Sequence, residues 1–151
     1  MRLSPFLFLA ACSIGAPLAG PDLEAAAAGE GPYIAVATHT RYARGQQKAF
    51  GELVDAVNAQ MDAQPGFVGR ALRARVGGRE RWTLTVWEDE ASLEAFAYAQ
   101  GSHADAMAQS ATVIDGVYSA RWEVQPDELP IPWSEALDHL AEVRSTPPWD
   151  D

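Results

Sequence analysis

Two histidines, one tryptophan and two arginines are the side chains of this sequence whose types could do chemistry on a small molecule. A neutral imidazole at His103 or His39 could move a proton, or could ligate the iron of a haem. The indole of Trp87 could stack on a flat ring such as a quinone or a haem. The guanidinium of Arg73 or Arg121 could hold a carboxylate or another polar end. These residue types predict a pocket for a flat or hydrophobic small molecule.

The same residues have plain structural interpretations, which the sequence leaves open. His103 could be a surface or capping histidine, His39 a hydrogen-bonded histidine at a strand end, and Trp87 a packing residue. Five arginines crowd one short segment: Arg70, Arg73, Arg75, Arg79 and Arg81. They could hold a carboxylate of a ligand, or they could pair across a sheet or with acidic residues of a second subunit.

The composition of the chain excludes several classes of function. Its 151 residues suffice for one domain with a core, and its single cysteine cannot form an internal disulfide. Lys and Arg number 11 against 21 Asp and Glu, a net charge of -10, which argues against a nucleic acid or an anionic membrane surface as partner. No apolar run reaches the roughly 18 residues that a membrane span needs. P-loop, GxGxxG, Cys-x-x-Cys and HExxH motifs are absent, so nothing supports a nucleotide or structural zinc site.

The N-terminus carries the three parts of a secretory signal: Arg2, a short apolar stretch and small residues. The stretch ends Leu-Ala-Ala-Cys at Cys12, which resembles the bacterial lipoprotein box. The resemblance implies that residues 1–11 are a signal peptide, that the Cys12 thiol carries a diacylglycerol, and that the protein is lipid-anchored in the cell envelope or secreted. The alternative is an ordinary signal peptide in which Cys12 is incidental. Residues 12–31, rich in Ala, Gly and Pro, predict a flexible linker after the lipidated cysteine.

Hydrophobic periodicity predicts a β-α-β-β-α-β domain over residues 32–125 and a C-terminal extension with one helix over residues 126–151. The predicted strands cover residues 32–40, 67–76, 81–87 and 117–124, and the first helix covers residues 45–62. Asp89 is expected to cap the second helix, and Ser134 is expected to cap the helix of the extension.

This element order is the ferredoxin-like α+β plan, in which both helices cover one face of an antiparallel sheet. Strand alternation divides the strand residues between the two faces. We expect the helices to cover the larger apolar side chains: Ile34, Val36, Val68, Leu72, Trp82, Leu84, Val86, Tyr118 and Trp122. We expect the open face to carry Ala35, Ala37, His39, Ala71, Arg73, Arg75, Thr83, Thr85, Trp87, Ser119 and Arg121. Small residues at the centre of that face would leave volume for a ligand, which Thr85 and the arginines could orient and a second subunit could enclose.

Three segments of the chain resemble the antibiotic biosynthesis monooxygenase superfamily. They are PGFVG at residues 65–69, WTLTVWEDEA at residues 82–91 and GSHADAM at residues 101–107. The last two segments, together with ELPIPW at residues 128–133, are similar to the spheroidene-monooxygenase-like branch. The resemblance spans about residues 32–145 and implies a homodimer, a dimeric α/β barrel in which two sheets face each other across pockets.

The superfamily includes cofactor-free quinol monooxygenases, haem-degrading enzymes and haem-binding oxygenases, so the resemblance leaves the cofactor open between none and haem. Haem-degrading members use an Asn, a Trp and a His. Trp87 matches the Trp, His39 stands where an Asn could lie, and His103 is a loose counterpart of the His.

Three functions remain open from the sequence. The first is a monooxygenase-like enzyme, in which Trp87 stacks on the substrate, His103 or His39 transfers a proton or ligates haem, and Arg73 or Arg121 holds a polar end. The second is a non-catalytic envelope lipoprotein that binds haem or another hydrophobic ligand. The third is a structural lipoprotein whose dimer face is simply packed.

Overall fold

The chain forms one antiparallel sheet with helices on both faces, in a computed structural model that describes residues 12–98 and 112–144. The strands are β1 (Ser13–Gly15), β2 (Tyr33–Tyr42), β3 (Phe67–Arg75), β4 (Glu80–Trp87) and β5 (Ile114–Val124). The helices are α1 (Leu23–Ala27), α2 (Gln47–Asp62), α3 (Glu90–Ala97) and α4 (Trp133–Val143), with a 3-10 helix at Pro126–Glu128. The predicted α+β class, the β-α-β-β-α-β order from β2 to β5 and the C-terminal helix are confirmed. Among the described residues, no helix is long and apolar enough to cross a membrane.

Strand β2 lies inside the sheet, whose order is β1-β3-β4-β2-β5. Every neighbouring pair is antiparallel. Ala37 of β2 lies opposite Leu84 of β4 on one side and opposite Ala120 of β5 on the other. From β3 to β5 this is the ferredoxin-like strand order, and β1 adds a short strand at the β3 edge.

Helices α2 and α3 cover one face of the sheet, which we call the α2 face. Its packing centres on Trp87, which is 1% exposed and contacts a cluster formed by Met61 of α2, Phe67 of β3 and Phe96 of α3. The apolar residues of α2 reach the sheet because they recur at spacings of three and four. This face therefore closes tightly at the Trp87 end of β4.

Helix α4 and residues 18–26 cover the opposite face, which we call the α4 face. The buried residues there include Leu18, Ala26, Ala136 and Leu140 above the sheet. Small side chains on three strands let these segments approach: Ala35, Ala37, Ala71 and Ala120. The face that the sequence predicted to be open is therefore closed by the chain itself. A second subunit brought to this side would contact α4 rather than the sheet.

The predicted division of side chains between the faces was correct for β2 and reversed for β4 and β5. Val36 lies opposite Thr85 and Arg121, and His39 lies opposite Trp82 and Tyr118. Since residues directly opposite each other share a face, the following lie on the α2 face with Val36: Thr83, Thr85, Trp87, Ser119 and Arg121. Trp82, Leu84, Val86, Tyr118 and Trp122 lie on the α4 face with His39, as does Val68 beside the register shift of β3.

The prediction failed because both faces of the sheet are covered. A strand that is buried on both faces has large apolar residues at odd and at even positions, so apolar content does not identify the helix-covered side. Strand β4 shows this, since Leu84 and Trp87 are both buried although they point to opposite faces.

Residues 12–19 run along the edge of β3, where a flexible linker was predicted. The Cys12 carbonyl accepts a hydrogen bond of 2.9 Å from the Val76 N–H, and the backbones of Ala19 and Arg70 exchange hydrogen bonds of 2.8 and 3.0 Å. Between these points β1 pairs with β3. The linker prediction was wrong because an extended segment of small residues can pair through its backbone without any periodic side-chain pattern.

The segment then turns onto the α4 face and becomes part of the core. Leu18 and Ala26 are buried there. A Cβ at Gly20 would lie 2.2 Å from the Val68 carbonyl oxygen, so the crossing requires a glycine. The domain therefore includes residues that composition alone had assigned to the linker.

The two predicted helix caps had different outcomes. The Asp89 side chain accepts a hydrogen bond of 2.7 Å from the Ser92 N–H, so Asp89 caps α3 as predicted. The predicted cap at Ser134 was wrong, because α4 begins at Trp133 after Pro132 and has no side-chain cap. The predicted signal peptide at residues 1–11 and the segment with His103 lie outside the described residues.

Replacing Leu18 tests whether the N-terminal segment belongs to the fold. We expect Leu18→Ala to lower the free energy of unfolding by about 2–3 kcal/mol, because it removes a buried side chain from the α4 face. Urea denaturation followed by circular dichroism measures the change. Ile14→Ala is the matched control, since Ile14 is 70% exposed and should change stability by less than about 0.5 kcal/mol. A free linker would give two equally small effects.

Candidate functional site

A cavity of about 730 Å³ lies between the α2 face of the sheet and helices α2 and α3. Its size is within the range of pockets that hold drug-sized ligands. The apolar and aromatic lining comes from both layers: Val36, Phe50, Val54, Val57, Met61, Leu72, Trp87, Leu93 and Phe96. Polar lining comes mainly from the strands: Thr38, Thr40, Thr83, Thr85 and Ser119. The cavity therefore has an apolar roof and a floor that carries hydroxyl groups.

Trp87 forms the closed end of the cavity. Its ring centroid lies 5.3 Å from that of Phe67 and 5.0 Å from that of Phe96. The indole Nε1–H donates a hydrogen bond of 3.0 Å to Thr85 Oγ1, and the Thr85 hydroxyl lies 3.5 Å from the Val36 carbonyl oxygen. These contacts fix the orientation of the indole, so the ring forms a rigid wall against which a flat ligand can pack.

The hydroxyl-bearing floor follows from the register of three strands. Thr38 of β2 lies opposite Thr83 of β4 and opposite Ser119 of β5, so the three side chains form a row across the α2 face. A hydroxyl can donate or accept a hydrogen bond and carries no charge. The row can therefore orient a carbonyl or phenol oxygen of a ligand.

Arg81 brings a positive charge to the lining. Its Nη1 donates to the carbonyl oxygens of Glu80 at 2.7 Å and Gly78 at 3.2 Å, and its guanidinium carbon lies 5.1 Å from the centre of the Tyr42 ring. The backbone and the ring hold the guanidinium in place. It stands at the hairpin end of the cavity, away from Trp87.

Gly51 provides open space in the helical wall. It lies inside α2 and lines the cavity, and a Cβ built there meets no atom within 4 Å. Glycine inside a helix costs about 0.5–1 kcal/mol relative to alanine. At this position the missing side chain adds to the volume available to a ligand.

His39 lies on the α4 face, in a second and smaller pocket of about 300 Å³. Its Nδ1 is 2.8 Å from the Tyr118 hydroxyl and its Nε2 is 3.8 Å from a Glu80 carboxylate oxygen. The ring stacks on Trp82 with centroids 4.6 Å apart. Burial lowers the pKa of His39 below its ordinary value of 6.5, although the Glu80 carboxylate acts in the opposite direction. The sheet therefore separates His39 from the large cavity.

The residues that the sequence singled out are divided between different places. Trp87 and Thr85 line the large cavity, and His39 lies on the other side of the sheet. Arg73 is in the lining of both pockets, at the β3 edge, where its Nε donates to Ser13 Oγ at 2.9 Å. Arg121 forms an ion pair with Glu90 and is not among the described lining residues.

Haem ligation receives no support from the described residues. No histidine or cysteine lines the large cavity within residues 12–98 and 112–144, and no three His, Cys, Asp or Glu in these ranges are placed to hold a metal ion. His103, the other candidate ligand, lies outside the described residues.

Sequence reasoning missed Thr38 and Gly51 as cavity residues, whereas Arg81 was one of the five arginines considered for a ligand carboxylate. The sequence did contain a signal for Thr38, because threonines at every second position of two strands indicate a polar stripe on one face of an otherwise apolar sheet. Assigning that stripe to the helix-covered side required the β2–β4 register, which local patterns do not reveal.

The dependence of the free energy of unfolding on pH below about 6.5 tests the environment of His39. Because burial lowers the pKa of folded His39, the unfolded chain binds more protons as the pH falls below about 6.5, and the free energy of unfolding must fall with it. We expect His39→Gln to make that fall shallower, by up to about 1.4 kcal/mol per pH unit between about pH 6.5 and 5. Denaturation at a series of pH values measures it. Identical slopes for His39→Gln and wild type would contradict this assignment.

Three solved structures illustrate what the fold resembles. The chain superposes on the Pseudomonas aeruginosa protein PA3566 with a TM-score of 0.58 at 15% identity, over 64% of this chain and 97% of that one. For SnoaB, a cofactor-independent oxygenase from Streptomyces nogalater, the TM-score is 0.55 at 17% identity, over 66% and 99%. For a Chloroflexus aurantiacus protein assigned as an antibiotic biosynthesis monooxygenase, it is 0.50 at 19% identity, over 62% and 92%. Identities this low show a shared fold alone, and that fold is the monooxygenase-like one that the sequence motifs resemble.

Sequence comparison gives the family. A search of curated proteins finds no significant match. One family model, described as a domain of unknown function, matches residues 34–149, which include every described strand and helix from α2 to α4 and nearly all of β2. The chain therefore belongs to the DUF3291 family.

Proposed function

We propose that the large cavity binds a flat, mainly apolar small molecule and that the protein acts on it as a monooxygenase-like enzyme. The observation that supports this most is the build of the cavity, which combines about 730 Å³ of volume, an aromatic end wall and a row of uncharged hydroxyls. The similarity of the fold to that of an oxygenase that needs no cofactor is consistent with it. Fold similarity alone would not carry the proposal, since one fold serves many functions.

In this proposal each part of the lining has a separate task. Trp87 packs against the ring system of the ligand, while the row formed by Thr38, Thr83 and Ser119 binds its oxygen atoms. Arg81, at the opposite end of the cavity, attracts a negatively charged oxygen. A hydroquinone that has lost a proton to solvent supplies the electrons for its own oxygenation: one atom of O2 enters the ring as a hydroxyl group, the other leaves as water, and the product is a hydroxyquinone. The protein contributes orientation and exclusion of water.

The alternative is a ligand carrier without catalysis. The observation in its favour concerns proton transfer: among the described lining residues the one carboxylate is Asp55, which is exposed on α2. General acid–base catalysis needs a positioned group within reach of the reacting atom. A purely binding role needs only the apolar walls and the hydroxyl row.

We also propose that the protein is exported and anchored by a lipid on Cys12. The thiol is exposed, and in the sequence it follows directly on the apolar stretch that ends Leu-Ala-Ala. The thioether of a diacylglycerol requires an accessible cysteine at this position. The structured domain would then begin one residue after the anchor, at β1.

Filling the space at Gly51 tests whether the cavity is the ligand site. We expect Gly51→Leu to weaken binding of a naphthoquinone or its hydroquinone by about ten-fold or more, because a Cβ at this lining position enters open space and the rest of the side chain takes ligand volume. Isothermal titration calorimetry measures the affinity. Gly51→Ala should raise the free energy of unfolding by about 0.5–1 kcal/mol. Ala56→Leu, at an exposed position of the same helix, is the matched control and should bind as wild type does.

The same proteins separate the possible activities. Oxygen consumption with a hydroquinone that falls in Gly51→Leu and not in Ala56→Leu supports cofactor-free oxygenation. Binding without oxygen consumption supports the carrier. A Soret band on haem titration that is lost in His103→Ala assigns haem to His103. Unchanged affinity in Gly51→Leu would rule out the large cavity as the site.

Metabolic labelling tests the anchor. We expect a fatty-acid analogue supplied to expressing bacteria to label the wild-type protein and to leave Cys12→Ala unlabelled, because the chain has no other thiol. Gel fluorescence of the purified proteins is the measurement. Equal labelling of the two proteins would exclude lipidation at this residue.

A further inference from the structure

Three large apolar side chains stand exposed at one edge of the sheet. Ile14 is 70% exposed, Val76 is 59% exposed and Leu72 is 38% exposed. Ile14 lies opposite Ala74 of β3, two residues from Leu72 and two from Val76, so the three are neighbours along the β1–β3 edge. We call Ile14, Leu72 and Val76 the edge patch. Because a contiguous exposed apolar patch commonly marks an interaction surface, it calls for a partner.

The edge patch forms part of the rim of the large cavity. Ile14 and Leu72 are lining residues of that cavity although both are exposed. Lining residues that are also exposed mark where a cavity meets the outside. A ligand can therefore enter past the same side chains that form the patch.

The chain enters the fold at this patch. The Cys12 carbonyl is bound to the Val76 N–H at 2.9 Å, which places the exposed Cys12 beside the patch. In the sequence, the apolar residues 3–11 lead directly into Cys12. If Cys12 carries a lipid, the acyl chains are attached beside the exposed apolar side chains; if residues 1–11 are retained, their apolar stretch is attached there instead.

The charge around the edge patch is opposite to that of the whole protein. The net charge is -10, yet five of the 11 Lys and Arg lie on the hairpin of residues 70–81. Among them, Arg75 is exposed beside Val76 and forms an ion pair with Glu80. Arg73 donates a hydrogen bond to Ser13 Oγ and has no carboxylate partner among the described residues. An acidic protein that meets a membrane by this edge presents arginines to the lipid phosphates.

From these four observations we propose that the edge patch docks on a lipid bilayer and that the large cavity receives its ligand from the bilayer. The inference rests on the proposed function, because it needs an apolar ligand in that cavity, and it adds the source of the ligand. Apolar contact by Ile14, Leu72 and Val76, electrostatic attraction by arginines and the N-terminal attachment act at one place. Two or more such signals are what stable membrane attachment requires.

Site-specific fluorescence tests the docking. In a Cys12→Ser chain, a single cysteine placed by Val76→Cys or Val117→Cys carries an environment-sensitive nitrobenzoxadiazole label. Val117 is the matched control, since it is also an exposed valine, at 49%, but lies on β5 at the other edge of the sheet. With vesicles of phosphatidylcholine and phosphatidylglycerol, we expect a blue shift and quenching by nitroxide lipids at position 76 and neither at position 117.

Charge substitutions test the patch itself. We expect Ile14→Asp to reduce partitioning onto the same vesicles by about ten-fold, since it removes one apolar contact and adds a negative charge, whereas Val117→Asp leaves it unchanged. Equal quenching at positions 76 and 117, no quenching at either, or equal partitioning of the two aspartate variants would overturn the proposal. So would a shift at position 76 that needs a high protein concentration and no vesicles, because it would identify a second copy of the chain as the partner.

A titration in solution separates this inference from the proposed function. If the naphthoquinone binds the wild-type protein without vesicles but position 76 stays in water when vesicles are present, the docking proposal is rejected and the proposed ligand site in the cavity is retained. If position 76 enters the bilayer but the naphthoquinone does not bind, the proposed function fails and the ligand of the cavity is of another class.

Discussion

The hydrogen-bonded register of β2 against β4 and β5 determines nearly everything else in this protein. Because Val36 lies opposite Thr85, while Ala37 lies opposite Leu84, alternate residues along β2 belong to two separate chemical environments. A slip of one residue would move every side chain of a strand to the other face. The cavity with Trp87 and the histidine pocket under α4 are thus two products of one alignment. Only Arg73 and Trp82 are in the lining of both among the described residues, and His39 and Trp87 remain on opposite sides of the sheet.

The two faces of the sheet differ in how much empty volume their side chains leave. On the α4 face, alanines on β2, β3 and β5 let α4 and the N-terminal segment approach closely, and the remaining space is the small pocket with His39. On the α2 face, β2 and β4 each carry two threonines in succession, and a cavity remains between the sheet and the helices. Burial of one face provides the stability that allows the other to remain incompletely packed. The segment of residues 12–31 and the C-terminal helix, both outside the ferredoxin-like unit, are therefore part of how the cavity is maintained.

Local patterns were sufficient for the elements and insufficient for the site. Helix α2 could be predicted because its apolar residues repeat at helical spacing, and Asp89 could be predicted as a cap because its side chain needs only the next turn. The face on which Trp87 lies could not be predicted. Trp82 and Trp87 are five residues apart, so strand alternation places them on opposite faces, but it does not say which face the helices cover. His39 and Trp87 are both aromatic residues with a ring nitrogen at strand positions, and no local sequence pattern shows that they lie on opposite faces of the sheet. Residues 12–19 were missed because their contacts are made by the backbone.

The short strand β1 also affects how copies of the protein can contact one another. Without it, β3 would end the sheet with a row of unpaired N–H and C=O groups, which is a template for strands of other molecules. Strand β1 pairs with that row of groups. Because β1 is only three residues long and Pro17 follows soon after, its own outer edge offers few groups for a further strand to pair with. The N-terminal segment thus acts as a built-in end to the sheet, which leaves other molecules little backbone to pair with.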